Sequence, residues 1–208
     1  MIVVVDYGMG NLGSIANMFK KVGALAIVSG RLEDIEGADK LVLPGVGSFD
    51  NGMRNIRERG LLHVLAEKVG RRRTPILGIC LGMQLLTQRS EEGQLPGLGW
   101  VDAETIRFAF APDLRPPLKI PHMGWNTVLP ASSDSLFSGM AEQPRFYFVH
   151  SYHVVCRQAE DVLARAQYGL QFCAALRAGH IFGVQFHPEK SHKYGMQLLR
   201  NFAGLGPC

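Results

Sequence analysis

The segment Ile76–Gln84, with the sequence ILGICLGMQ, decides the fold of this chain. Its first half is an apolar run typical of a buried strand, and its second half continues into a helical pattern. Gly78 and Gly82 flank Cys80 at the spacing of a nucleophile elbow, where glycines tolerate a strained turn and let neighbouring backbone approach closely. We therefore expect a strand that turns sharply into a helix, with Cys80 at the first turn of that helix.

Cys80 is a candidate nucleophile in this position. Free amide groups and the positive end of the helix dipole favour a thiolate there, and the thiolate is the form that attacks carbonyl carbon. The alternative is a small buried hydrophobic side chain, which is the usual role of a cysteine in an apolar run. The two glycines and the change from strand to helix favour the nucleophile.

A second segment, Val184–Lys190 (VQFHPEK), supplies a histidine and a carboxylate. Pro188 restricts His187 to an extended conformation, and residues two apart on extended backbone point the same way. Glu189 can therefore orient the imidazole, as the third member of a catalytic triad does. By itself the segment is equally compatible with a surface turn. Together with Cys80 it predicts a base and its orienting carboxylate.

The pattern along the chain predicts an α/β fold with a mostly parallel central sheet and helices on both faces. The predicted strands of the first half are Ile2–Val5, Leu25–Val28, Lys40–Leu43 and Pro75–Ile79, and the predicted helices are Ser14–Val22, Asn51–Val69 and Leu81–Gln88. After Gly97 the pattern is richer in strands, at Val101–Phe108, Phe146–Val149 and Ile181–Phe186, with a closing helix near Tyr194–Phe202. Gly93–Gly99 and Pro112–Pro121 are predicted loops.

Composition limits the possible functions. With 208 residues and 47% hydrophobic content the chain can bury one sizeable core, so we expect one domain over residues 1–208. The net charge of +4 is too small to indicate a nucleic-acid-binding protein. Neither metal-ligand spacing nor a small disulfide scaffold is present among the cysteines Cys80, Cys156, Cys173 and Cys208. The chain opens on an apolar strand rather than a charged signal region, and no apolar run is long enough to span a bilayer, so we expect a cytoplasmic protein.

Four segments, in the same order, resemble the class I (triad) glutamine amidotransferases. They are Pro44–Gly47, Gly78–Gln84, His150–Tyr152 and Phe186–Ser191. Three segments are more narrowly similar to the glutaminase subunits of imidazole glycerol phosphate synthase, a histidine-biosynthesis enzyme: Asp6–Asn11, Pro121–Asn126 and Lys190–Ser191. The resemblance implies the single-domain, flavodoxin-like fold of that family. It also implies glutamine hydrolysis by a triad of Cys80, His187 and Glu189, without a metal or cofactor.

The loop Pro44–Gly47 follows a buried strand and so falls at the carboxyl end of the sheet, where ligand sites of α/β proteins gather. Its alternative reading is a plain tight turn. The resemblance implies that the Val46 and Leu81 amides form the oxyanion hole. It also implies that the substrate glutamine is held by Gly47, Gln84, Ser151 and Tyr152. Gln84 lies one helical turn after Cys80, on the same side of the predicted helix.

A single domain leaves the chemistry that uses the ammonia to another polypeptide. The resemblance implies a heterodimer with a (β/α)₈-barrel cyclase, which receives ammonia through an internal passage. The positions that match partner-facing residues of that family are Asn11, Met123, Trp125, Asn126 and Lys190. As alternatives, Trp125 can be a core aromatic residue and Lys190 a solvated charge.

Three other functions remain open at this point. A similar glutaminase subunit can supply ammonia to a sugar-amidinating enzyme of surface-polysaccharide synthesis. A cysteine peptidase or hydrolase can use a related elbow, although Gln84 and the glutamine-site loops disfavour it. A non-enzymatic binding module is the third alternative, and an intact triad argues against it.

Overall fold

A computed structural model of the chain describes residues 1–113, 115–131, 135–140 and 142–206. The strands are β1 (Ile2–Val5), β2 (Ala26–Ser29), β3 (Lys40–Gly45), β4 (Ile76–Cys80), β5 (Arg89–Ser90), β6 (Ala103–Arg107), β7 (His122–Thr127), β8 (Leu129–Pro130), β9 (Arg145–His150), β10 (Tyr152–Cys156), β11 (Val162–Tyr168), β12 (Leu170–Ala178) and β13 (Ile181–Val184). The α-helices are α1 (Leu12–Lys21), α2 (Leu32–Glu36), α3 (Phe49–Glu58), α4 (Leu61–Ala66), α5 (Leu81–Leu85) and α6 (His192–Ala203).

Within the described residues, eleven strands form one sheet. Its first part has the order β2-β1-β3-β4-β13 and is parallel throughout. The sheet continues through β12, β10 and β6 in antiparallel pairs, while β5 joins the edge parallel to β6. β11 and β8 extend from β12, and β7 pairs with β9 in a small separate sheet. The predicted mostly parallel central sheet is confirmed, as is the change to a strand-rich second half.

Two hydrophobic clusters lie on opposite faces of the parallel strands. Side chains of a strand alternate between the faces, and β1 shows this directly: Ile2 and Val4 belong to one cluster, Val3 and Val5 to the other. The first cluster contains buried residues of α1 and α6, and the second contains buried residues of α2, α3 and α4. Helices therefore cover both faces, as the alternating pattern predicts.

The predicted helix Asn51–Val69 is wrong as one continuous element. The chain forms α3, then a left-handed residue at Gly60 with φ of +70°, then α4 and a single π-helical turn at Glu67–Arg71. Glycine adopts positive φ without the steric cost that a Cβ imposes. The apolar periodicity continues across Gly60 because Ile56 and Leu61 are both buried in the same cluster.

Several boundaries are shorter than predicted. Helix α5 ends at Leu85 rather than Gln88, and β13 ends at Val184 rather than Phe186. The predicted loops Gly93–Gly99 and Pro112–Pro121 contain no helix or strand among their described residues, and Leu114 lies outside these. Cys208 also lies outside the described residues. The part of the chain that the structure describes contains no helix long and apolar enough to cross a membrane.

Candidate active site

The strand β4 turns into α5 at Cys80, which is the last strand residue and the N-cap of the helix. Cys80 has φ of +54° and ψ of −110°, a conformation that costs a non-glycine residue about 1–3 kcal/mol. Neither Gly78 nor Gly82 has a positive φ within the described chain. The strain of the elbow is therefore carried by Cys80 itself.

The two flanking glycines are required for close packing instead. A Cβ on Gly82 would lie 1.7 Å from the carbonyl oxygen of Leu43, on the neighbouring strand β3. A Cβ on Gly78 would lie 2.7 Å from the carbonyl oxygen of Gly82. Both contacts are shorter than side-chain atoms tolerate, so the G-x-C-x-G spacing lets the elbow fold back against its own strand and the next one.

The second segment brings a histidine and a carboxylate into contact. His187 is extended, with φ of −101° and ψ of 98°, and its Nδ1 lies 2.8 Å from Oε1 of Glu189. Both side chains are buried. The contact does not arise from extended backbone over all three residues, because Pro188–Lys190 forms a 3₁₀ turn. That turn carries the Glu189 carboxylate back toward the ring.

Buried polar contacts hold the backbone of His187. Its N–H donates to the carbonyl oxygen of Tyr147 at 2.9 Å, and its own carbonyl accepts from the Ser191 hydroxyl at 2.6 Å. The Ser191 hydroxyl also accepts from the Tyr147 N–H at 3.0 Å. These bonds tie the segment after β13 to β9, which fixes the position of the imidazole.

The electrostatic environment favours a protonated imidazole at His187. Burial lowers its pKa, but the nearby Cys80 and the hydrogen-bonded Glu189 outweigh burial and raise the pKa to about 10. Nε2, the ring nitrogen away from Glu189, is buried and lies outside hydrogen-bond geometry with any described atom. Cys80 lines the same cavity and acts on the ring electrostatically, without a well-formed hydrogen bond between the two groups.

We expect Glu189→Gln to lower the pKa of His187, because the substitution removes one of the charges that raise it. A raised pKa stabilises the fold fully below pH of about 6.5, and this contribution is lost as the pH rises towards 10. The variant should therefore lose more stability relative to the parent at pH 6 than at pH 10. An NMR titration of ¹⁵N-labelled histidines measures the pKa, with the exposed His63 as an internal control. An unchanged His187 titration would contradict the assigned contact.

A cavity of about 300 Å³ opens above Cys80. The residues that line it are Val46, Gly47, Cys80, Leu81, Gln84, Glu92, Pro121, Val149, His150, Ser151, Tyr152 and His187. All the residues that the sequence predicts for the nucleophile, base, oxyanion hole and substrate contacts meet here, with Glu189 directly behind His187. This volume is sufficient for a small amino acid.

The side chain of Gln84 is held by buried hydrogen bonds in the wall of the cavity. Its Nε2 donates to the carbonyl oxygen of Tyr152 at 3.2 Å and to Oε1 of Gln185 at 3.1 Å. Nε2 of Gln185 in turn lies 3.7 Å from the sulfur of Cys80. Sequence reasoning missed Gln185, although a glutamine inside a fully buried apolar strand segment is the kind of signal that could have found it.

Glu92 is a second residue that sequence reasoning missed. Its carboxylate accepts a hydrogen bond from the Phe49 N–H at 2.8 Å and lines the cavity. It is the one carboxylate among the described residues that line this cavity. It lies in a turn after β5, only eight residues beyond Gln84, but no sequence pattern in that turn indicates that it lines the cavity.

The match to known proteins extends over nearly the whole chain. The family model of class-I glutamine amidotransferases matches residues 3–204. This chain belongs to the class I glutamine amidotransferase family. A HisH 2 subunit of imidazole glycerol phosphate synthase from Pseudomonas aeruginosa is 54% identical over 205 residues, which cover 99% of this chain and 100% of that protein. A HisH 2 subunit from Methanococcus maripaludis is 52% identical over 202 residues, which cover 97% of this chain and 98% of that protein.

Solved structures of other glutamine amidotransferases share the fold. One crystal structure of a glutamine amidotransferase has a TM-score of 0.74 at 21% identity, covering 98% of this chain and 99% of that chain. A glutamine amidotransferase from Thermotoga maritima has a TM-score of 0.64 at 17% identity, covering 90% of this chain and 75% of that chain. The class I glutamine amidotransferase fold predicted by the resemblance is thereby confirmed.

In this glutamine amidotransferase the loop Pro44–Gly47 borders the cavity at Val46 and Gly47. Gly47 has φ of +106°, and Val46 is exposed to the cavity. The buried Tyr7 hydroxyl donates to the carbonyl of Pro44 and anchors the start of the loop. Leu81 is the first residue of α5, so its N–H has no partner within the helix. The oxyanion roles of Val46 and Leu81 stay predictions.

The residues predicted to face a partner differ in their surroundings. Met123 is 64% exposed and Trp125 41% exposed on β7, so the core-aromatic alternative for Trp125 is wrong. The Trp125 ring stacks on His192 at 5.5 Å, and the exposed Lys190 ammonium lies 5.6 Å from the Tyr147 ring centre. Asn11, the N-cap of α1, is exposed without a side-chain capping bond. Asn126 is only partly exposed, and its amide bonds to other parts of the chain.

Proposed function

We propose that this protein is the glutaminase subunit of an imidazole glycerol phosphate synthase and that Cys80, His187 and Glu189 are its catalytic triad. The cavity that unites the elbow thiol with the buried His187–Glu189 pair carries the proposal. The full-length identity of 54% to a subunit of that name supports the pathway. It also disfavours the sugar-amidinating alternative.

In the proposed reaction the Cys80 thiolate attacks the side-chain amide carbon of glutamine, and the Val46 and Leu81 amides stabilise the resulting oxyanion. Protonated His187 gives its proton to the departing nitrogen, which leaves as ammonia, and a glutamyl thioester remains. His187 then takes a proton from water, which attacks the thioester. Glutamate leaves, and the thiol and imidazole return to their starting protonation states. Glu189 orients the ring in both steps.

The cavity offers contacts to each end of the substrate. The carboxylate of Glu92 is suited to the α-ammonium group of glutamine, because opposite charges attract strongly in a partly desolvated cavity. Gly47, Ser151 and Tyr152 lie on the same cavity and are proposed to surround the amino-acid end of the substrate. Gln84 is proposed to contact the substrate over the thiol.

The proposed partner is a (β/α)₈-barrel cyclase that binds as the second subunit of a heterodimer. Ammonia released into water at neutral pH is mostly protonated and no longer nucleophilic, so transfer within a complex conserves it. Exposed Met123 and Trp125 provide apolar contacts of the kind found at protein interfaces. Asn11, Asn126 and Lys190 are proposed to contribute polar contacts. A histidine-biosynthesis role is consistent with the cytoplasm as the compartment.

We expect the isolated chain to hydrolyse glutamine slowly, and the rate to rise when the partner carries its acceptor substrate. The reason is the loop Gly45–Gly47, where the peptide before Val46 can turn its N–H towards or away from the oxyanion. A partner that binds one loop state more tightly shifts the population towards it. Glutamate release by the chain alone, with the cyclase, and with cyclase plus acceptor measures the effect.

Trp125→Ala should reduce this activation, because it removes the exposed ring proposed to contact the cyclase. Leu25→Ala is the matched control: Leu25 is another exposed apolar residue, 71% exposed, immediately before β2. Strands β1 to β4 run parallel, and Cys80 lies at the carboxyl end of β4. The start of β2 therefore lies at the other, amino-terminal end of the strands. Equal rates in all three mixtures would rule out partner-gated activation.

A further inference from the structure

A buried chain of hydrogen bonds connects the surface strand β7 with the wall of the cavity. Nδ2 of Asn126 lies 3.3 Å from Nε2 of His122, and Nδ1 of His122 lies 2.9 Å from Nε2 of His150. Nδ1 of His150 lies 2.8 Å from the carbonyl oxygen of Tyr152. His122 and His150 stand opposite each other in the β7–β9 register, so the pairing of two strands sets their contact.

Which group donates and which accepts in each of these hydrogen bonds follows from the two ends of the series. At the cavity end, the Tyr152 carbonyl can only accept, so His150 carries its proton on Nδ1 and its Nε2 accepts. At the surface end, Asn126 Oδ1 accepts from the Thr127 N–H at 2.8 Å, and its Nδ2 donates to the Gln167 carbonyl at 2.9 Å. These two contacts fix the orientation of the amide, so Nδ2 donates to Nε2 of His122.

Both ends therefore require the same tautomer of both rings. His122 and His150 must each be protonated on Nδ1 and unprotonated on Nε2, with donation running from Asn126 towards Tyr152. A proton added to either Nε2 would place two N–H donors face to face with no acceptor between them. Each ring is therefore neutral in this arrangement.

The surroundings keep the rings neutral. His122 is stacked between Phe148, with ring centres 4.9 Å apart, and Tyr168, at 4.1 Å. His150 lies against Phe108 at 5.2 Å. Burial lowers the pKa of His122 to about 4 and that of His150 to about 3.

The chain of bonds continues from Tyr152 to the nucleophile. The Tyr152 carbonyl accepts from Gln84 as well as from His150. Gln84 also donates to Gln185, whose amide nitrogen lies next to the sulfur of Cys80. The position of the Tyr152 carbonyl therefore affects Gln84, which is a proposed substrate contact.

We propose that Asn126, His122 and His150 are positioning residues that form a one-directional chain of neutral hydrogen bonds, which fixes the Tyr152 carbonyl and Gln84 for glutamine binding and couples strand β7 to the cavity. This inference rests on the proposed function, because it assigns a role in binding glutamine. It gives Asn126 a role within this protein in addition to any contact with a partner.

The first test reads the tautomers directly in the full-length chain by NMR of ¹⁵N-labelled histidines. We expect two rings with a protonated Nδ1 and an unprotonated Nε2, assigned to His122 and His150 by the loss of one signal set in His122→Phe. Asn126→Asp should move a proton onto Nε2 of His122, because a carboxylate accepts and cannot donate. Asn51→Asp adds the same charge on the exposed surface of α3 and should leave both rings unchanged. An Nε2-protonated or cationic ring at His122 or at His150 in the parent chain would overturn the proposal.

The second test separates positioning from a general loss of packing. His122→Phe should raise the KM for glutamine about tenfold, the size expected when a buried hydrogen-bond partner is lost, with a much smaller change in kcat. His153→Phe is the matched control. His153 is also buried and packs on Phe108 at 4.7 Å, but neither of its ring nitrogens takes part in a side-chain hydrogen bond with a described residue and it does not line the cavity. It should keep the parental KM.

Failure of the proposed function and failure of the positioning role give different results. If the parent protein with its cyclase releases no glutamate from glutamine, the proposed function fails, whatever the tautomers are. If the parent is active and His122→Phe has the same KM as His153→Phe, the function stands and the positioning chain is wrong.

Discussion

Replacement of Cys80 by alanine should abolish glutamine hydrolysis, with a loss on the order of 10⁴-fold or more in kcat, as expected when the nucleophile of a triad is removed. No other thiol within the described residues can take its place, because Cys156 and Cys173 lie outside the cavity. Steady-state glutamate release by the assembled complex measures the loss. Cys156→Ala, which removes another free thiol, is the matched control and should retain the parental rate.

The same variant tests the division of labour between the two subunits. Cys80→Ala should stop synthesis from glutamine but leave synthesis from added ammonium salts largely intact, because the partner's site is unaffected. Loss of both activities in a properly assembled complex would contradict the assignment of ammonia production to this chain and ammonia use to its partner.

His187→Ala should be nearly as severe, with a loss on the order of 10³-fold or more, because both proton transfers depend on the imidazole. Glu189→Ala should be milder, since the ring remains and only its orientation and charge support are lost. His63→Ala removes an exposed histidine on α4 and serves as the control. Glutamate release is again the measurement, with circular dichroism to establish that each variant is folded.

A different order of effects would change the mechanism. If Glu189→Ala were as damaging as His187→Ala, the carboxylate would do more than orient the ring. If His187→Ala kept the parental rate, His187 would not be the base.

The central sheet could be predicted from sequence because short apolar runs alternate with amphipathic helices. Buried strands such as β1 and β4 show no periodicity, but they are too short for helices and rich in β-branched residues. The break at Gly60 was missed because Ile56 and Leu61 keep facing the same core across it. A hydrophobic pattern records which side chains are buried. It does not record whether the backbone between them stays helical.

The candidate site was predictable where a local segment carries its own chemistry. The strained elbow at Cys80 and the His187–Glu189 pair each lie within a few residues of sequence. Glu92 and the His122–His150 pair were not predicted, because their positions depend on contacts between segments distant in sequence. His150 and His122, for example, become neighbours only through the β7–β9 register. Gln185 was missed although it lies in a buried apolar segment.

Covalent labelling tests most directly whether Cys80 is a nucleophile in a cavity shaped for glutamine. The full-length chain is treated with a diazo-ketone analogue of glutamine, and the labelled peptides are mapped in a mass spectrometer. The sulfur of Cys80 should displace dinitrogen and form one carbon–sulfur bond, and excess glutamine should prevent it. We expect a single adduct on the peptide that contains Cys80, and none on Cys156 or Cys173. Labelling at another cysteine, or labelling that glutamine does not suppress, would contradict the proposed role of Cys80.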